Sequence, residues 1–248
     1  MRVFIGIDDT DNLESRGTGF LARRMAQEIT GKGYGTVYSV TRHQLLVDER
    51  IPYTSHNSSA CLEVETDDQD LLMDNCRNFL LQNAADGSDA GLCIMPVNEV
   101  NEDVISWGRK AKSEVLEMKG AESLASTLHL KLEGLTGTRC GIIGALAAVG
   151  LRKEGNDGRL LWIRGNKDLR ELTPGPYEVS QLKNDYNIQL IRSVKGRILD
   201  ADAIVEVDDW VRPVLKDNKV TLLVEDQITP NDYEWKTASK DYIKSVSQ

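Results

Sequence analysis

Residues 2–11, Arg2-Val3-Phe4-Ile5-Gly6-Ile7-Asp8-Asp9-Thr10-Asp11, decide the reading of the fold. Arg2 to Ile7 is a short apolar run rich in β-branched residues and closed by acids, the signature of a buried strand. Phe20 to Ile29 follows, with Leu21, Met25 and Ile29 spaced by four and Arg23, Arg24 and Glu28 off that stripe; Gly31 and Gly33 stop it. That pattern is an amphipathic helix. Further on, Tyr34–His43, Ala60–Glu65 and Gly91–Val97 read as strands. Asp67–Gln82 and Glu102–Met118 read as helices, and Ala84–Gly91 as a polar loop. Helices alternating with strands predict an α/β layer.

Around Gly120 the pattern restarts, which places a domain boundary there: residues 1–119 and 120–248. In the second part the expected strands are Leu128–Leu132, Arg159–Ile163, Ile188–Ser193, Ala203–Val207 and Lys219–Glu225. A Gly-rich segment, Gly134 to Gly144, leads into an apolar helix running to Val149. The segment from Asn231 on is polar with three aromatics and reads as a tail either docked or partly loose.

Length and composition set the outer limits. The chain has 248 residues, 40% hydrophobic and 28% charged, a globular profile rather than a disordered one. Thirty basic against 39 acidic residues give a net charge of −9, which argues against a protein that coats nucleic acid electrostatically. The longest apolar run, Gly141 to Leu151, is far below the ~18 residues of a membrane-spanning helix. No signal peptide precedes Asp8. Four scattered cysteines (61, 76, 93 and 140) lack zinc-ribbon spacing and point to a reduced, cytoplasmic protein.

Three stretches carry possible chemistry. Asp8, Asp9 and Asp11 stand at the end of the first strand, where sites gather in α/β sheets. Two such charges ~4 Å apart repel by ~4 kcal/mol at an effective dielectric of ~20. A divalent cation removes that cost, and Mg²⁺ favours carboxylate oxygen together with phosphate; a solvated Asx turn is the plainer alternative. Ser15-Arg16-Gly17-Thr18-Gly19 comes directly before a helix, where free N–H groups favour phosphate. Gly17 and Gly19 allow close approach, and Thr18 suits an N-cap or a hydroxyl facing phosphate. The Gly-Lys-Ser/Thr ending of a Walker loop is missing. Thr136 to Gly144 is a second Gly-rich turn into a helix; Arg139 there could clamp a phosphate, while Gly144 and its neighbouring alanines suit close packing. Arg42, His43 and His56-Asn57-Ser58-Ser59 could line a site. Arg109, Lys110 and Lys112 sit on a helix anchored by Trp107; they read as a solvated face, from which one could reach a phosphate. Asp208-Asp209-Trp210 reads as a turn rather than a second metal site.

At these residues the sequence resembles the archaeal tRNA-Ile 2-agmatinylcytidine synthetase family. The similarity lies in Ile5-Gly6-Ile7-Asp8-Asp9-Thr10-Asp11, Thr18 to Ala22, Ile51-Pro52-Tyr53 and Gly141-Ile142-Ile143-Gly144-Ala145-Leu146-Ala147-Ala148-Val149-Gly150, with a faint continuation at Arg212-Pro213-Val214-Leu215. The resemblance implies an atypical kinase-like α/β domain followed by a ferredoxin-like domain, without the family's OB-fold and zinc ribbon. It implies an ATP- and Mg²⁺-dependent ligase that phosphorylates a base oxygen for displacement by an amine. Asp8, Asp9 and Asp11 would then serve the metal; Gly17, Thr18 and Gly19 would meet the phosphates. Thr18 would accept or position a phosphoryl group, and Lys110 and Arg139 would neutralise charge. The family's Cys-Thr-Thr is here Gly17-Thr18-Gly19, and its Thr-Arg-Gly-Asn-Gly loop is Ser55-His56-Asn57-Ser58-Ser59, without the arginine. The expected acceptor is therefore a small or nucleoside-like molecule. The alternatives are a tRNA cytidine modifier that borrows an RNA-binding partner, and a nucleotide-binding regulator without turnover.

Overall fold

The computed structural model describes residues 1–54, 56–227 and 233–247. The chain divides into two compact units, Met1–Glu154 and Gly155–Gln248. The first runs β1 (Arg2–Asp8), α1 (Thr18–Gly31), β2 (Thr36–Gln44), β3 (Ser58–Glu65), α2 (Gln69–Asn83), β4 (Gly91–Pro96), α3 (Glu102–Lys110), α4 (Met118–Leu128), β5 (Lys131–Gly134) and α5 (Ile142–Glu154). Its strands pair in the order β5-β4-β1-β3-β2, each neighbour antiparallel. The fold is mixed α/β, as the periodicity predicts, but no parallel crossover links these strands.

Strand β1 is central and buried on both faces. Val3, Ile5 and Ile7 point to one side, and Phe4, Gly6 and Asp8 to the other. Helices α1 and α2 pack on the sheet, α1 through Leu21, Met25 and Ile29. Helix α5 covers the Phe4 side together with α3 and α4. Its Gly and Ala residues allow an unusually close approach. A Cβ on Gly6 would lie 1.9 Å from the Ala145 carbonyl oxygen, and one on Gly91 2.1 Å from the Gly141 carbonyl carbon.

Two expectations need correction. The helix beginning at Glu102 ends at Lys110 instead of Met118, because the Ala111 carbonyl accepts from Leu46 N (3.0 Å) and Lys112 Nζ donates to Gln44 O (3.1 Å). These tertiary bonds take over from the next helical turn. The boundary falls at 154/155, not 119/120. Gly120 does not break the pattern: it lies inside α4, where a Cβ would meet the Trp107 ring at 3.0 Å. β5 then pairs with β4, and α5 packs on β1 and β4, so both belong to the first unit.

The second unit holds β6 (Arg159–Ile163), β7 (Gly175–Glu178), α6 (Val179–Tyr186), β8 (Leu190–Ser193), β9 (Ile204–Val207), β10 (Val214–Lys216), β11 (Lys219–Asp226), β12 (Trp235–Thr237) and α7 (Lys240–Val246). β11 pairs antiparallel with β10 and β12 and parallel with β8; β12 pairs parallel with β9, which carries β7 at its other edge. Asp208-Asp209-Trp210 is the loop after β9. The polar C-terminal segment forms β12 and α7 and docks through Ile243; Asn231 lies outside the described residues. Among the described residues no helix is long and apolar enough to cross a membrane.

Candidate functional site

The acids at the end of β1 open into a cavity of about 490 Å³ in the first unit. Its polar end carries Asp8, Asp9, Asp11, Thr18 and Cys140. Its apolar wall comes from Leu45, Ile51, Tyr53, Met118 and Ile143, drawn from the segment after β2, the start of α4 and the first turn of α5.

Each acid has its own place. Asp8 is pressed against α5: a Cβ on Gly144 would lie 1.8 Å from its Oδ2. Burial, with the neighbouring charge of Asp9, pushes the Asp8 carboxyl up to about 8. Asp9 takes a left-handed backbone conformation, φ 50°, a conformation Asp tolerates better than most residues. Its carboxyl is also raised, by burial first and then by Asp89 and Asp11. Asp9, Asp89 and Cys140 bring one ligand atom each within 4.8 Å of one another. The Cys140 thiol faces Asp9 Oδ2 at 3.5 Å and Asp89 Oδ2 at 3.6 Å. Burial pushes that thiol up to about 11, so it stays neutral and donates to both carboxylates.

Asp11 plays a different part. Its Oδ1 accepts from Thr18 N (3.1 Å) and Thr18 Oγ1 (2.8 Å), and its Oδ2 from Thr54 Oγ1 (2.8 Å). Asp11 thus caps the first turn of α1, where Gly17 offers no side chain. The Thr18 hydroxyl also accepts from Thr10 N (3.3 Å) and Thr10 Oγ1 (3.1 Å). Of the predicted Gly17-Thr18-Gly19 turn, Thr18 lines the cavity, buried and oriented by these bonds, whereas Gly17 and Gly19 are not among its lining residues. Asp11→Ala is expected to cost about 1–3 kcal/mol, since it leaves the Thr18 amide and hydroxyl unmatched in a buried setting. Thermal denaturation with intact secondary structure checks this.

Other expected residues lie elsewhere. Lys110 is exposed at the end of α3, and Arg109 pairs with Glu102 (2.6 Å) and Glu154 (2.7 Å). Arg139, exposed and left-handed at φ 68°, lines a separate hollow with Glu122 and Glu133. His43 is fully buried, with its Nε2 2.9 Å from Thr41 Oγ1, and does not reach the cavity. His56 and Asn57 do line it; Ser55 lies outside the described residues. The cationic side chains lining the cavity are Arg50, held bidentate by Asp48 (2.7 Å each), and Lys119.

Sequence reasoning missed Asp89. It sits in a segment that reads as a loop and reaches the site only through pairing: Gly91 lies opposite Asp8, and Gly141 N donates to Asp89 O at 3.0 Å. No local signal marks it.

No protein-family model matches the chain. It is 29% identical over 157 residues to TiaS, the tRNA 2-agmatinylcytidine synthetase of Methanosarcina acetivorans, covering 60% of this chain and 35% of that protein. It is 26% identical over 155 residues to an uncharacterized protein of Methanocaldococcus jannaschii, covering 60% of this chain and 50% of that one. The chain thus spans about a third to a half of the length of the curated relatives it matches. Among solved structures it resembles the complex of TiaS with tRNA and ATP at a TM-score of 0.54 and 27% identity, over 60% of this chain and 36% of that chain. The complex of TiaS with tRNA, AMPCPP and agmatine gives 0.52 and 27%, over the same shares. TiaS synthetases, the family that the Asp-rich and Gly141 blocks resemble, are thus among both the homologues and the structural neighbours.

Proposed function

We propose that the first unit is an ATP-dependent catalytic core that phosphorylates an oxygen of a nucleoside-like acceptor and so prepares it for attack by an amine. The observation that carries this reading is that Asp8, Asp9 and Asp11 line one cavity of about 490 Å³ together with an apolar wall, with Asp89 close behind Asp9; that volume is inside the range of small-ligand sites. ATP use is supported by the synthetase neighbours, whose solved complexes contain ATP and AMPCPP.

The donor set fits Mg²⁺. Asp9 and Asp89 supply the hard carboxylate oxygens this ion prefers, whereas Cys140, a neutral thiol, does not bind it. When bound, Mg²⁺ would neutralise charge on the phosphates. Asp11, with both oxygens engaged, acts on Thr18. Its Oδ1 lies 2.8 Å from the Thr18 hydroxyl, within reach for a general base. In such a step Thr18 Oγ1 bonds to the γ-phosphorus, the bond to the β–γ bridging oxygen breaks, ADP leaves, and the hydroxyl proton passes to Asp11; the acceptor oxygen then bonds to that phosphorus as the Thr18 Oγ1–P bond breaks, and Thr18 Oγ1 takes the proton back from Asp11. Lys119, on the cavity wall, takes the charge-neutralising part that the sequence pattern assigns to Lys110 and Arg139. The apolar wall receives the base of the nucleotide or of the acceptor.

A second reading applies the same chemistry to a tRNA cytidine, with RNA docking supplied by a partner protein. The tRNA in the neighbouring synthetase complexes favours it. Incubation with ATP labelled on the γ-phosphate tests both. Label is expected on the protein or on an added cytidine or tRNA and is expected to vanish in Thr18→Ala. Label transfer that persists unchanged in Thr18→Ala removes the role of that hydroxyl, and absence of any transfer or ATP cleavage leaves a nucleotide-binding regulator.

A further inference from the structure

The second unit carries a cluster of three cations around one tryptophan. Arg159 opens β6, Arg212 stands two residues before β10, and Lys240 opens α7. Pairing of β6 with β10 sets Arg159 opposite Val214, which brings the two arginines side by side. Docking of α7 onto Val214 and Leu223 through Ile243 adds Lys240.

The three charges converge on one indole. The Arg159 and Arg212 guanidinium carbons lie 5.9 and 5.6 Å from the centre of the Trp210 ring, and Lys240 Nζ lies 5.8 Å from it. Trp210 is half-buried against the Val214–Ile243 cluster. Among the described residues none of the three cations has a carboxylate partner. Arg212 donates only to the neighbouring Val211 carbonyl, at 2.7 Å. Asp168, the acid that acts on Arg212 from a distance, is already held by Arg170 at 2.6 and 3.0 Å. Burial lowers both arginines, with Arg212 adding to the effect on Arg159 and Arg170 to that on Arg212.

Half-buried arginines side by side with no carboxylate in contact are costly in a folded protein. Cation–π contact with Trp210 offsets only about 0.5–2 kcal/mol of that per cation. An anion placed among them removes the repulsion, and guanidinium forks match phosphate oxygens. We infer that Arg159, Arg212 and Lys240, ranged around Trp210, form a receiving site for a phosphate group, either of a free phosphate compound or of a nucleic-acid backbone. This site is independent of the ATP reading of the first unit.

The test uses the full chain without ATP, so its failure and the failure of the ATP reading are separable. Thermal denaturation is followed in sodium phosphate and in sodium chloride of equal ionic strength. In parallel, a fluorescent short single-stranded RNA is titrated over a range of salt. Phosphate is expected to raise the melting temperature, since a ligand that binds only the folded form stabilises it. Arg159→Gln, by removing one like charge, is expected to melt higher than wild type in chloride yet to lose the response to phosphate. A merely structural arginine would not give that pair of results. Lys240→Gln, at an exposed position, serves if the arginine variants do not fold, and is expected to weaken phosphate about threefold or more.

Stabilisation by phosphate without RNA binding assigns the site to small phosphate compounds. RNA binding with a log–log salt slope near about −2, lowered by about 0.7 in each variant, assigns it to nucleic acid. The inference is overturned if neither phosphate nor RNA affects the wild type beyond chloride, or if Lys240→Gln and the arginine variants respond as the wild type does.

Discussion

Gly6→Ala is expected to destabilise the first unit by about 3 kcal/mol or more, at the upper end of overpacking costs. The cause is steric and local. The added methyl would lie 1.9 Å from the Ala145 carbonyl oxygen and 3.1 Å from Val149 Cγ2. A backbone carbonyl inside a helix cannot swing aside as a side chain can, so α5 as a whole must retreat from β1. That retreat opens the seam in which Phe4, Cys61 and Cys93 meet Leu146 and Val149. It also moves Gly144 away from Asp8 and so disturbs the acidic cluster from behind. Urea unfolding of wild type and variant measures the effect. A loss below about 0.5 kcal/mol would show that α5 does not lie as close to β1 as described.

The second large effect is on stability against pH. The Asp8 carboxyl is held near 8 in the folded chain against an ordinary 3.8, by burial and then by Asp9. Above pH 4 the unfolded chain releases this proton while the folded chain keeps it. Folding therefore weakens steadily as pH rises from about 4 to about 8, and then levels off. At about 1.4 kcal/mol for each pH unit over that window, the total loss reaches several kcal/mol. Asp8→Asn removes the proton exchange and is expected to flatten the profile, and added Mg²⁺ is expected to flatten it as well by supplying the missing positive charge. Melting temperatures at pH 5, 6, 7 and 8, with and without Mg²⁺, decide the matter. A wild-type melting curve indifferent to pH across this range would mean that Asp8 is solvated.

Both effects grow from residues that the sequence displays openly. The apolar run at 3–7 and the small-residue helix after Gly141 are legible because each is almost wholly buried and needs no partner to be recognised. The strand–helix order of the first 110 residues follows from periodicity alone. What lies beyond local reading is set by tertiary contact. α3 stops where Ala111 bonds to Leu46. Gly120 reads as a break and is a contact with Trp107. Strands β7, β10 and β12 have three or four residues each, too short for alternation to register, and α6 and α7 are held mainly by their docking.

The site divides in the same way. Asp8, Asp9, Asp11 and Thr18 are contiguous enough to be singled out from the chain, but their division of labour is not. Only the hydrogen bonds show that Asp11 braces Thr18 and Thr54, while Asp9 faces Asp89. Asp89 and Lys119 come from segments whose sequence carries no mark of chemistry. Arg139 and Lys110, charged and close in sequence to promising glycines or helices, are drawn outward, and nothing in their spacing shows it.

The central claim is that Asp9, next to the end of β1, and Asp89, just before β4, hold Mg²⁺-ATP. Titration of ATP into the full chain, with Mg²⁺ and with chelator, in wild type, Asp9→Asn and Asp89→Asn, addresses it most directly. The expected result is saturable ATP binding by wild type that requires Mg²⁺ and weakens by about tenfold or more in each variant, about 1.4 kcal/mol or more. ATP binding that is equally strong in chelator and unchanged in both variants would contradict it.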